Sequence, residues 1–178
     1  NFHAGLTTPH SYQANPLTWL FLVRPTSMHY ENVGDGWAEA ILDIANPLLW
    51  WGATAALGFV IVRLVLRLVR GETVTTEAFI LTGMAAGYLP WLLYLHRTVF
   101  QFYTVVFEPF MVLGLAAALA AVAGSRDDPS SRRRLGLATV GVYLAVVVAT
   151  SIFFWPLWSA QPMPIWFHQA HYWFRSWI

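Results

Sequence analysis

Arg97, Gln101, Thr104 and Glu108 are the residues whose types and spacing could do chemistry together. Their intervals of i, i+4, i+7 and i+11 put a cation, an amide, a hydroxyl and a carboxylate on one face of a helix. Valine, phenylalanine, leucine and alanine surround them, so the pattern predicts a polar stripe descending about 16 Å along an apolar helix. A carboxylate that deep in hydrocarbon is costly, so Glu108 should either pair with a neighbouring helix or face a wet cavity. Arg97 stands at the mouth of the stripe, where a guanidinium's fork of donors suits a phosphate; the other reading is an arginine that snorkels at the interface without a ligand. His96 beside it could donate to the same anion or simply be interfacial.

Other combinations carry less. His168 and His171 have a spacing that a metal could use, but no third ligand is evident, and no metal is expected. The chain has no cysteine, which removes thiolate catalysis and disulfides. Glu31, Asp35, Glu39 and Asp43 read as the solvated face of a loop, with an acceptor or metal site as the other possibility. Arg63, Arg67 and Arg70 share a helix face and read as topology determinants near anionic headgroups. A net charge of +1 over 178 residues, with arginines clustered beside apolar runs, argues against nucleic acid. No nucleophile-elbow, phosphate-loop or dinucleotide motif is present.

The elements that must position these residues are membrane helices. Hydrophobic residues make up 57% of the chain and charged residues 11%, and the apolar residues come in long blocks. Four runs, 47–69, 77–95, 99–123 and 135–154, are long enough to cross a hydrocarbon core of roughly 30 Å. Asn46-Pro47 marks the start of the first, and Pro90 should kink the second. Gly83 and Gly87 in the second form a small-xxx-small pair for helix packing. All ten basic residues are arginine; seven fall at the end of the first run or in the loop after the third, which places those two loops inside the cell and both termini outside. Tryptophans 50, 51, 91, 155 and 158 agree, since they fall at the outer helix ends. Residues 1–45 are expected to form an external loop, 46–155 the four-helix membrane region, and 156–178 an aromatic tail. The tail should be a helix lying on the outer surface, with Trp166, Trp173 and Trp177 on one face and His168, His171 and Arg175 on another. The opening at Asn1, without an initiator Met or a signal-peptide layout, reads as a piece of something longer.

Two stretches resemble a known family. His10-Ser11-Tyr12-Gln13-Ala14-Asn15-Pro16, continuing to Trp19 and Arg24-Pro25, is similar to the H-x-Y-x-S-x-P…W…RP signature of the actinobacterial protein O-mannosyltransferases, with Ala14 where serine is usual. Arg97-Thr98-Val99-Phe100-Gln101-Phe102-Tyr103, with Pro109-Phe110 after it, resembles that family's R-T-x-F-x-F-Y…P-F segment. The resemblance covers the C-terminal, four-helix portion of a family member. It implies an all-α integral membrane GT-C fold in the plasma membrane and an inverting, metal-independent transferase. It also implies a polyprenyl-phosphate-mannose donor within the membrane lipid, secreted Ser/Thr acceptors, and catalytic acidic residues in an N-terminal half of the same enzyme, with none in this chain. On this reading Arg97, His96 and Tyr103 bind the donor phosphate, Gln101, Thr104 and Glu108 line a polar groove, and His10, Tyr12 and Arg24 belong to the external loop motif. Another GT-C polyprenyl-phosphate-sugar transferase, such as an arabinosyltransferase, and a non-catalytic membrane subunit or lipid-binding scaffold are the alternatives. A transporter fits less well, because the four runs contain no repeated half.

Overall fold

The structure, a computed structural model, describes Gly5 and residues 7–178; residues 1–4 and 6, where the expected external loop begins, lie outside the described residues. The chain packs as two compact units. One holds the described residues up to Pro47 with Pro90–Thr104 and Thr150–Ile178, and the other holds Leu48–Leu89 and Val105–Ala149.

Four longer helices correspond to the four apolar runs. α1 spans Pro47–Val69, as the sequence predicts. It stops because Gly71 takes a left-handed φ of 66° that a side chain would resist, while Gly71 N–H donates to Leu68 O and Glu72 N–H to Arg67 O. α2 spans Thr75–Tyr88, and the run continues as a 3₁₀ helix over Leu89–Tyr94. Pro90 lacks the N–H that an α-helix needs there, so the expected kink is an end to α-geometry. α3 spans Glu108–Ala123, and α4 runs for 30 residues over Ser130–Ser159. α1 and α4 are each long and apolar enough to cross a membrane.

Three expectations need correction. The helix expected over 99–123 begins only at Glu108, with Gln101–Val106 in a separate 3₁₀ helix before it. Pro109 is tolerated only in a first turn, so α3 cannot extend backwards through Phe107. The stripe from Arg97 to Glu108 therefore does not run down one α-helical face. Nor is the fold all-α. β1 (Thr26–Gly34) and β2 (Trp37–Asp43) form an antiparallel hairpin, and β3 (Met163–Pro164) pairs with β2 to give the order β1-β2-β3. Asp35 and Gly36 both have positive φ, 50° and 77°, the geometry of a tight hairpin turn, and Ala38, Ala40 and Leu42 alternate inward. Finally, the tail is not one surface helix. α5 covers only Ile165–Ala170 and Arg175–Trp177 is a 3₁₀ turn; Trp177 is buried at 1% exposure, while Trp166 is 71% exposed. The indole N–H of Trp177 donates to Leu22 O at 2.6 Å, so this ring anchors the tail inside its unit.

In the second unit, close approach depends on small residues. A Cβ at Gly87 would meet Phe107, one at Gly83 would meet the Phe110 ring, and one at Gly52 would meet the Tyr143 hydroxyl. That hydroxyl donates to Leu48 O at 3.1 Å, tying α4 to the start of α1.

Candidate functional site

The site is built from the loop over residues 7–24 and the segment over 94–104. Asn15 begins a 3₁₀ turn at Pro16–Phe21, its side-chain oxygen accepting from Leu17 N–H at 3.0 Å. The turn buries Trp19 completely, and its indole N–H donates to Ala14 O at 3.0 Å. Trp19 lies edge-on to Trp91, centroids 5.6 Å apart, and Trp91 lies 4.6 Å from Tyr103. Backbone bonds complete the attachment. Ala14 N–H donates to Val99 O at 2.8 Å, and Thr98 Oγ1 donates to Thr8 O at 2.6 Å.

Arg24 acts as a tie. Its Nε and Nη2 donate to Ser11 O, Nη1 donates to Ser176 O and Ile178 O, and the guanidinium covers the Tyr12 ring at 5.0 Å. His10 accepts from Tyr12 N–H and packs edge-on against Phe100 at 5.1 Å. The three residues of the external loop motif thus hold the loop together, with the Arg24 guanidinium engaged by backbone carbonyls.

Arg97 differs. Its backbone N–H donates to Tyr94 O at 2.9 Å, but its guanidinium makes no hydrogen bond or ion pair among the described residues, although Nε is buried. Among the described arginines it is the one with a guanidinium nitrogen both buried and unpaired. A buried cationic donor without a partner is costly, so the position is suited to an anion brought from outside. His96 is exposed beside it, and Tyr103 is half-buried in the tryptophan cluster. Gln101 and Thr104 are buried, and the Gln101 amide donates to Trp19 O at 3.1 Å. Glu108 opens α3 in the other unit, where a carboxylate complements the helix dipole.

The histidines of the tail are structural. His171 is fully buried, its two ring nitrogens each 2.7 Å from a carbonyl oxygen, those of Phe167 and Phe153. His168 Nε2 meets the Tyr172 hydroxyl at 3.2 Å; burial first, and His171 second, push the His168 imidazole below its ordinary range. His29, Glu31 and Glu39 bring possible ligand atoms within 4.8 Å of one another on one hairpin face, with Glu31 directly opposite Glu39. The hairpin's turn and alternation, together with the roles of Asn15 and Trp91, are what sequence reasoning missed. Asp35-Gly36 followed by alternating apolar residues was the available signal for the hairpin.

Residues 1–177 match the family described as the C-terminal four TMM region of protein-O-mannosyltransferase. The chain belongs to the protein O-mannosyltransferases. It is 28% identical over 186 residues to the polyprenol-phosphate-mannose–protein mannosyltransferase of Mycolicibacterium smegmatis, covering 99% of this chain and 35% of that protein. Its counterpart in Mycobacterium tuberculosis is 28% identical over 187 residues, with the same coverage. The chain thus spans about a third of the length of these O-mannosyltransferase relatives. The fold matches the S. cerevisiae protein O-mannosyltransferase Pmt1-Pmt2 complex bound to the sugar donor, with a TM-score of 0.80 at 24% identity, over 99% of this chain and 25% of that one.

Proposed function

We propose that this chain is the C-terminal membrane part of an enzyme that moves mannose from a polyprenyl-phosphate donor to serine or threonine hydroxyls of secreted proteins, with Arg97 holding the donor's phosphate. The observation that carries this is the Arg97 guanidinium, partly buried and without a hydrogen-bond or ion-pair partner among the described residues, on a segment fastened by Ala14, Thr98 and Gln101. In the transfer, the acceptor oxygen bonds to mannose C1 as the bond from C1 to the phosphate oxygen breaks. The hydroxyl proton passes to a carboxylate from the N-terminal half of the enzyme, and the electron pair leaves with the lipid phosphate. The reaction inverts C1 and uses no metal. Charge builds on the leaving phosphate, and a preorganised forked cation stabilises it. His96 and Tyr103 are secondary contacts for the same group. The names of the mycobacterial relatives support the donor and the reaction class.

The proposed topology has four passes through the plasma membrane: α1, α2 with its 3₁₀ continuation, α3 and α4. The arginine-rich turns after α1 and α3 lie inside and both ends of the segment outside, because positive loops are retained in the cytoplasm. With full-length enzyme, polyprenyl-phosphate-mannose and an acceptor peptide, Arg97→Ala should lower turnover by on the order of 10² to 10³, and Arg97→Lys should recover only part of it. Unchanged turnover and donor affinity in a folded Arg97→Ala enzyme would overturn the proposal.

A further inference from the structure

A second cluster of arginines, at the end of α1, forms a different kind of site. Arg63, Arg67 and Arg70 recur at i, i+4 and i+7 on one face of α1, and Phe59, Val62 and Leu66 form an exposed apolar ridge beside them. The left-handed Gly71 turn brings Glu72 back against this face. Glu72 accepts from Arg67 Nε at 3.1 Å and lies 3.8 Å from Arg70 Nη1. Glu77, buried in the first turn of α2, takes Arg63 Nε at 2.7 Å and Arg67 Nη1 at 3.1 Å.

Three cations face two carboxylates, so the cluster keeps one positive charge in excess. The terminal nitrogens of Arg63, and the Arg70 guanidinium apart from its long approach to Glu72, donate no hydrogen bond among the described residues. The arginines, the apolar ridge and Glu72 enclose an open cavity of about 310 Å³. That is the low end for small-molecule pockets, enough for a headgroup and the start of a chain.

We infer that this cavity binds an anionic phospholipid, with its phosphate at the arginine rim and the first part of an acyl chain along Phe59, Val62 and Leu66. Charge excess at the rim favours an anionic over a zwitterionic headgroup, and basic pockets beside membrane helices suit such lipids. A soluble anion would leave the apolar ridge unused. The ridge belongs to a helix long and apolar enough to cross a membrane, which sets headgroup and chain in the right order.

The test uses delipidated full-length protein and native mass spectrometry, titrating phosphatidylglycerol against phosphatidylcholine of the same chain length. Phosphatidylglycerol should be retained at least fivefold better. Arg70 is exposed, so Arg70→Gln should leave the melting temperature unchanged and weaken phosphatidylglycerol retention about fivefold. Arg133→Gln, outside the cavity, should leave retention unchanged. Equal retention of the two lipids, or an equal effect of Arg70→Gln and Arg133→Gln, would overturn the inference, because the attraction would then be generic surface charge. Displacement of the lipid by millimolar inorganic phosphate would also overturn it, by showing a soluble-anion site.

Discussion

Gly87→Ala should be the more damaging of the two substitutions in the glycine pair of α2. A Cβ at Gly87 would lie 2.8 Å from Phe107 Cβ and 3.3 Å from the Phe107 Cα and N. Carbon atoms pack best at about 3.5 to 4.0 Å, so the shortfall is about 0.7 Å against atoms fixed to the backbone just before α3. Phe107 is fully buried and its ring also contacts Tyr88 at 5.3 Å, so it cannot turn away. Overpacking of this kind costs ~1–3 kcal/mol, and alanine's better helix propensity offsets up to about 1 of it. At Gly83 the nearest atoms all belong to the Phe110 ring, which is only half-buried and can swing. Gly83→Ala should therefore change stability by less than about 1 kcal/mol, and Gly87→Ala by about 1–2 kcal/mol. Unfolding of the full-length protein by SDS titration in mixed micelles measures both. A Gly87→Ala protein as stable as the parent, or a Gly83→Ala protein that is the weaker of the two, would refute the contact geometry.

Trp177→Ala should cost ~3–5 kcal/mol in the same assay, because the ring is buried and its N–H is bonded to Leu22 O; a loss below ~1 kcal/mol would favour a surface tail. The folded state holds the His168 imidazole below its ordinary range, so its contribution to stability is full above the unfolded value of about 6.5 and is lost as pH falls below it. Melting curves between pH 7.5 and 5 should therefore slope downwards in the parent and less so in His168→Asn; equal slopes would contradict this. Arg24→Lys keeps the charge but loses the fork that joins Ser11 O to Ser176 O, so limited proteolysis should cut the tail after Ala170 faster; unchanged protection would exclude the tie.

The helical runs were legible because hydrophobic length is a strong, local signal, and Asn46-Pro47 marked the start of α1 to the residue. Prolines 90 and 109 are visible in the sequence too, but whether each kinks or ends a helix is not. Pro90 ends α-geometry instead of kinking it, and Pro109 sets the first turn of α3, which breaks the apparent stripe. The hairpin is less legible, because acidic residues at 31, 35, 39 and 43 stand among the small apolar residues that alternate at 38, 40 and 42 and give them the composition of a solvated loop. Trp166, Trp173 and Trp177 share a helical face only if the helix continues, and it stops at Ala170. Arg97 could be singled out by residue type and motif. Its lack of a partner among the described residues could not, because that depends on bonds that fasten Thr8, Ala14 and Trp19 across a long sequence separation.

The most direct test of the proposed role of Arg97 is an experimental structure of the full-length enzyme with polyprenyl-phosphate-mannose bound. The proposal predicts guanidinium nitrogens of Arg97 within about 2.7 to 3.1 Å of the donor's phosphate oxygens. A bound donor whose phosphate is held by other residues, with the Arg97 guanidinium more than about 6 Å away and turned to solvent or lipid, would contradict it.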